Sequence, residues 1–167
     1  MLTEDQKTNL DIAANLTRLS GGKLDFQSDE HGVQVSLQLP VRASLPILVI
    51  DDSLDILRLL QHYIADTRYR LVSTSDPQQA IPLATSSAAQ AIVVDVMMPR
   101  IDGWTLLQKL HNHPVTANIP VIICSILRQE ELAESLGASA YLRKPINQAE
   151  FLALLDRLTA DAASGLC

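Results

Sequence analysis

Cysteine is almost absent from this 167-residue sequence, long hydrophobic runs are missing, and positive charge is scarce and scattered. The two cysteines, Cys124 inside an apolar run and Cys167 at the end, cannot make a disulfide framework. A reduced compartment follows, and the cytoplasm is the expectation. The longest apolar stretches, 119–124 among them, have the length of a strand and fall far short of the ~20 residues that span a bilayer. The start, Met1-Leu2-Thr3-Glu4-Asp5, is polar and acidic where a secretory leader is basic and then apolar. Neither a leader nor membrane insertion is expected. A net charge of −6, with no basic grouping denser than Arg68 with Arg70 or Arg143 with Lys144, argues against direct nucleic-acid binding.

Hydrophobic residues nevertheless make up 47% of the chain and charged residues 19%, which supports a globular core and excludes disorder as the main state. The length suits one full domain and a short appendage. From residue 45 onward, short apolar runs alternate with amphipathic segments. The runs 47–50, 69–73, 91–94, 119–124 and 138–142 read as strands. The segments 54–65, 77–83, 103–110, 130–136 and 147–158 read as helices. Five strands alternating with five helices predict an α/β fold, a doubly wound parallel sheet covered on both faces.

Residues 1–44 do not follow this alternation. Residues 8–19 carry Leu10, Ile12, Ala13, Leu16 and Leu19 at helical spacing, and Gly21-Gly22 ends the pattern. Two strand-like segments, 23–27 and 33–39, flank a turn at 28–32 and read as a hairpin. Residues 39–46 read as a linker. The domains expected are therefore 1–44, 45–162 and a tail at 163–167. After the last helix only Thr159 to Cys167 remain, so no effector domain is expected.

The polar residues fall in a telling pattern. Asp51 and Asp52 close the first strand of the alternation, Asp95 the third and Ser125 the fourth, and Lys144 follows the fifth. Open parallel sheets bind ligands beyond the carboxyl ends of their strands, so all these residues meet at one edge. With strand order 2-1-3-4-5, strands one and three are neighbours and three carboxylates share a cleft. Such a cluster calls for a cation, and all-oxygen ligation suits Mg2+. Lys144 offers a point charge for phosphate oxygen, Ser125 a hydroxyl donor, and an aspartate can form an acyl phosphate.

The segments Ile47-Leu48-Val49-Ile50-Asp51-Asp52-Ser53, Val94-Asp95-Val96-Met97-Met98-Pro99-Arg100-Ile101-Asp102-Gly103, Ile119-Pro120-Val121-Ile122 and Tyr141-Leu142-Arg143-Lys144-Pro145 resemble response-regulator receiver domains of two-component signalling. The match runs over about 46–160, in order and in register. The resemblance implies a flavodoxin-like fold with Asp95 as phosphoacceptor. It implies Asp52, Asp95 and the Met97 carbonyl as Mg2+ ligands, with Asp51 supporting the metal. Ser125 and Tyr141 would be a switch pair, the Lys144-Pro145 peptide would be cis, and Gly103 would open a helix beneath the acceptor loop. The implied partner is a histidine kinase or histidine phosphotransfer protein, and a second copy of the chain is a further candidate. Two features depart from the family pattern. Ile126 stands where a small residue is usual and should crowd an acyl phosphate. The segment 125–137 is about three residues short, which alters the usual output and dimerisation face.

The stretch Leu10-Asp11-Ile12-Ala13-Ala14-Asn15-Leu16 through Ser20-Gly21-Gly22-Lys23-Leu24, then Gly32-Val33-Gln34-Val35-Ser36-Leu37-Gln38-Leu39-Pro40, is similar to the closing segment of histidine-kinase ATP-binding domains. The family's nucleotide-binding asparagine motif and glycine-rich lid are absent, so this remnant should not bind ATP. It implies descent from a hybrid kinase.

Other uses of these residues stay open. Asp51-Asp52 also fits a helix N-cap, Asp95 a turn, Ser125 a strand-end hydroxyl and Tyr141 ordinary packing. All four histidines, His31, His62, His111 and His113, read as surface residues, Trp104 as packing and Cys124 as a buried small hydrophobe. As whole-molecule alternatives, the chain could be a binding or dimerisation module with vestigial chemistry, or a phosphatase of the haloacid-dehalogenase type. The latter needs an acid two residues after its nucleophile, where this sequence has Ser53, Leu54 and Met97. The expectation is a phosphoacceptor rather than an enzyme.

Overall fold

An apolar run becomes a strand when both of its faces can be covered, and five runs of this chain meet that condition. The structure is a computed structural model that describes residues 4–29, 32–38, 44–99 and 102–160. The expected tail at 163–167, His31, Cys167, the centre of the hairpin turn and most of the expected linker lie outside these residues. The chain divides into two compact units, 1–43 and 44–167.

In the first unit, α1 (Glu4–Leu19) is followed by the antiparallel hairpin of β1 (Lys23–Asp29) and β2 (Gly32–Gln38). The helix begins earlier than the pattern at 8–19 suggests, because its first turn is polar and carries no apolar signal. Gly21, at φ +73°, takes the chain out of the helix, and its amide bonds back to the Arg18 carbonyl. Register places Leu24 opposite Leu37 and Phe26 opposite Val35, so one face of the hairpin is apolar.

The second unit is built on a parallel sheet of β3 (Leu45–Ile50), β4 (Tyr69–Thr74), β5 (Ala91–Asp95), β6 (Val121–Ser125) and β7 (Ala140–Arg143), in the order β4-β3-β5-β6-β7. This is the expected 2-1-3-4-5 order of a flavodoxin-like fold. The strands alternate α2 (Leu54–Tyr63), α3 (Ala80–Ser87), α4 (Gly103–Asn112), α5 (Glu130–Ser135) and α6 (Gln148–Leu158). Burial splits by strand parity. Leu48, Ile50, Ile92, Val94 and Ile123 pack with Ala84, Leu107, Leu110 and Ala133 of α3, α4 and α5. Ile47, Val49, Val93, Ile122 and Leu142 pack with Leu60 of α2 and with Phe151 and Leu155 of α6. Both faces are dry, which is why these strands read as continuous apolar runs.

Several boundaries move from their expected places, for local reasons. β3 starts at Leu45, inside the expected linker, because Leu45 already pairs with Tyr69. β6 begins at Val121 rather than 119, since Pro120 has no amide to donate; its carbonyl still accepts from Ile92 at 2.9 Å. The segment expected as a helix at 77–83 is a 3-10 turn, Pro77–Gln79, running into α3. Asp76 caps the turn by accepting from the Gln78 amide. Ala88, at φ +52°, ends α3.

Candidate functional site

Two helices follow the strand ends that carry the acids, and their caps fix the intervening loops. Ser53 caps α2 by accepting from Ile56, which leaves Asp51 and Asp52 between β3 and the helix. Asp102 caps α4 through the Trp104 amide at 3.2 Å. Gly103 then lies flat against the loop after β5: a Cβ there would sit 2.5 Å from Val96 Cα and 2.6 Å from the Asp95 carbonyl. Only glycine permits that approach.

At this edge Asp51 and Asp95 are buried and Asp52 is exposed. Each of the three offers a carboxylate oxygen, and these oxygens all lie within 4.8 Å of one another. Lys144 Nζ donates to Asp51 Oδ2 and to Asp95 Oδ2, both at 2.8 Å. The remaining oxygens are held too: Asp51 Oδ1 accepts from the Ser53 amide at 2.8 Å, and Asp95 Oδ1 from the Met97 amide at 2.9 Å. Burial drives the Asp51 carboxyl above its ordinary value, opposed by its bonds to Lys144 and Ser53. Burial pulls Lys144 downward, but its bonds to Asp51 and Asp95 outweigh that and hold the ammonium above its usual value.

Ser125 is fully buried at the end of β6, and its Oγ accepts from the Leu127 amide at 3.1 Å. The Tyr141 hydroxyl donates to the carbonyl of the same residue, Leu127. Both polar groups of one loop residue are thus tied to the two residues named as a switch pair. No sequence pattern marks Leu127 for this position, because only its backbone is used. The Lys144 amide donates to the Ser125 carbonyl at 2.9 Å, and the Lys144-Pro145 peptide is cis. Met97 follows Asp95 by two residues with its side chain half exposed, and Ile126, beside Ser125, is 60% exposed. Cys124 is buried and its thiol is pushed up to about 12 by desolvation, so it is inert packing. His62 and His111 are exposed. His113 departs from its expected surface role: it is half-buried and its Nδ1 accepts from the Val115 amide at 3.3 Å.

The carboxylates fit a divalent cation. Three acids face the one ammonium that their described contacts supply, an excess of two negative charges on oxygen donors, two of which are already oriented by backbone amides.

Fold and site together define a class, and comparison with known proteins names it. The family model of the response regulator receiver domain matches residues 47–156, and the chain belongs to that family. It is 36% identical over 120 residues to response regulator PleD of Caulobacter vibrioides, covering 70% of this chain but 26% of PleD. The chain thus spans about a quarter of that relative's length. The receiver domain of Francisella response regulator 1452 superposes with a TM-score of 0.65 at 27% identity, over 71% of this chain and 99% of that one. The receiver domain of sensor histidine kinase PA1611 from Pseudomonas aeruginosa superposes at 0.63 with 23% identity, over 71% and 99%, and has a magnesium ion coordinated in its active-site cleft.

Proposed function

We propose that the chain accepts a phosphoryl group on Asp95 from a phosphohistidine of a kinase or phosphotransfer protein, in a reaction that needs Mg2+. The observation that carries this reading is the double engagement of Lys144 Nζ by Asp51 and Asp95 at 2.8 Å, within a three-carboxylate cluster. A carboxylate oxygen of Asp95 attacks phosphorus, the P–N bond breaks, and its electron pair returns to the imidazole nitrogen, which takes up a proton. Asp51, Asp52, Asp95 and the Met97 carbonyl would hold the metal, which offsets charge on the transferred group. Lys144 gives up one carboxylate oxygen and pairs with a phosphate oxygen instead. Ser125 turns its hydroxyl to another. That move releases the Leu127 amide, and with it the carbonyl that holds Tyr141, so the Tyr141 ring turns inward.

The module is a phosphoacceptor rather than an enzyme acting on other substrates, and it signals by protein contact within the cytoplasm. The first unit is read as a remnant of a histidine-kinase ATP-binding domain, and the chain as derived from a hybrid kinase. The receiver of PA1611, a kinase, offers a parallel for that arrangement.

Incubation with acetyl phosphate and Mg2+ followed by intact mass tests the reading. One phosphate adduct is expected, absent in Asp95→Asn. An unmodified wild-type chain would favour a vestigial binding module, and steady turnover of phosphate esters a phosphatase.

A further inference from the structure

Lys144 carries its charge on a long, flexible side chain, so the placement of the ammonium depends on how the backbone beneath it is held. The Lys144 amide donates to the Ser125 carbonyl at 2.9 Å, which fixes the side toward β6. Beyond it Pro145 has no amide to donate, and β7 is an edge of the sheet. The next tie comes from another element. Tyr63, the last residue of α2, donates its hydroxyl to the Ile146 carbonyl at 3.1 Å. Ile146 is buried in the core with Leu60, Phe151 and Leu155, and the half-buried Tyr63 packs against that core. Tyr63 is itself held. Its carbonyl, one of those a helix leaves unpaired at its end, accepts from Nε2 of Gln148, the residue that opens α6, at 3.1 Å. The tyrosine is thus fixed at its backbone and grips the loop after β7 with its hydroxyl.

We infer that Tyr63 is a positioning residue for the phosphoryl transfer: by holding the Ile146 carbonyl, two residues beyond Lys144, it keeps the Lys144 ammonium between Asp51 and Asp95. The inference rests on the phosphoacceptor reading for the reaction, and on these bonds for the placement. Lys144 Nζ meets Asp51 Oδ2 and Asp95 Oδ2 at 2.8 Å each, a two-point arrangement that tolerates little drift. When a phosphoryl group arrives, the ammonium must exchange one oxygen for another without leaving the cleft. Misplacing a reacting or stabilising group by about 1 Å can cost about a hundredfold in rate. Removal of the Tyr63 hydroxyl strips the buried Ile146 carbonyl of its partner, so the segment that bears Lys144 must shift or leave that oxygen unsatisfied. The described bonds of Tyr63 go to Ile146 and Gln148 rather than to an acid of the site, so its effect passes through Lys144. A second tyrosine supplies the control. Tyr69, buried at the start of β4, donates its hydroxyl to Asp156 Oδ1 at 2.6 Å and shares a bond with Thr159 Oγ1 at 3.1 Å. It ties the end of α6 to the edge strand opposite β7.

Tyr63→Phe and Tyr69→Phe of the full chain, each compared with the wild type, make the test. Two quantities are read. One is the NMR signal of the Lys144 ammonium, assigned by its loss in Lys144→Met. The other is the rate of labelling by acetyl phosphate and Mg2+. In Tyr63→Phe the signal should move or broaden, and labelling should slow by about threefold to tenfold. Tyr69→Phe, which also deprives buried groups of a tyrosine hydroxyl, should leave both as they are in the wild type. An unmoved signal or an unchanged rate in Tyr63→Phe overturns the inference, as does an equal effect of the two substitutions. A wild type that takes up no phosphate defeats the phosphoacceptor reading instead, and the ammonium signal then decides whether Tyr63 places Lys144.

Discussion

An ammonium group lying 2.8 Å from each of two buried carboxylates is their neutralising partner before any phosphate arrives. Lys144→Met leaves both acids buried and uncompensated, and breaking such a buried pair costs ~3 kcal/mol. Urea unfolding should show a loss of about that size without Mg2+ and a smaller one when the ion is present. Ile126 acts in the other direction. Its exposed side chain beside Ser125 should hinder water from reaching an acyl phosphate. Ile126→Ala should therefore shorten the phosphate lifetime by ~tenfold or less, followed as decay of the adduct mass after acetyl phosphate is removed. The acids and Lys144 were legible in the sequence because charged residues interrupt apolar runs at matching strand ends. Leu127 was not. Its contribution is one amide and one carbonyl, and any residue type supplies those.

Elements meet most tightly where α4 begins. Gly103→Ala puts a methyl carbon inside contact distance of Val96 Cα and the Asp95 carbonyl, neither of which is a flexible side chain. The loop after β5 must move, at ~1–3 kcal/mol or more, and the Asp95 carboxylate moves with it. Thermal unfolding should register the destabilisation, and acetyl phosphate should label the variant more slowly than the wild type. At this scale the strands were legible and their limits less so. Apolar runs covered on both faces announce themselves, whereas β6 is trimmed by Pro120 and β3 is lengthened by its pairing with β4. The 3-10 start of α3 hides inside a helical pattern because its Asp76 cap and Pro77 suit either geometry.

On the scale of the whole molecule, three acids against one ammonium should make the receiver unit respond to divalent metal. Mg2+ at ~100 times its Kd should raise stability by about 2.7 kcal/mol, and a chelator should reverse the gain. Asp52→Ala, which removes an exposed acid, should abolish most of the response in a melting experiment. The wild-type response should shrink as pH falls through the raised titration range of Asp51, because the proton and the metal compete for the same carboxylate. Strand order was expected from the common 2-1-3-4-5 arrangement of such folds, and that order sets the acids after β3 beside Asp95 at the end of β5. The two-unit division rests on the break in alternation before residue 45. The parallel sheet has one further consequence. The residues of the site lie at or just after the carboxyl ends of β3, β5, β6 and β7, so the loops that precede the strands carry none of it. A saturation-mutagenesis map of this chain should therefore be lopsided along the strand axis. Within loops 51–53, 96–99 and 125–129 the positions whose side chains carry the site, Asp51, Asp52 and Ser125, should tolerate almost no change, and the loops before β4, β6 and β7 should accept even insertions while acetyl phosphate still labels the chain.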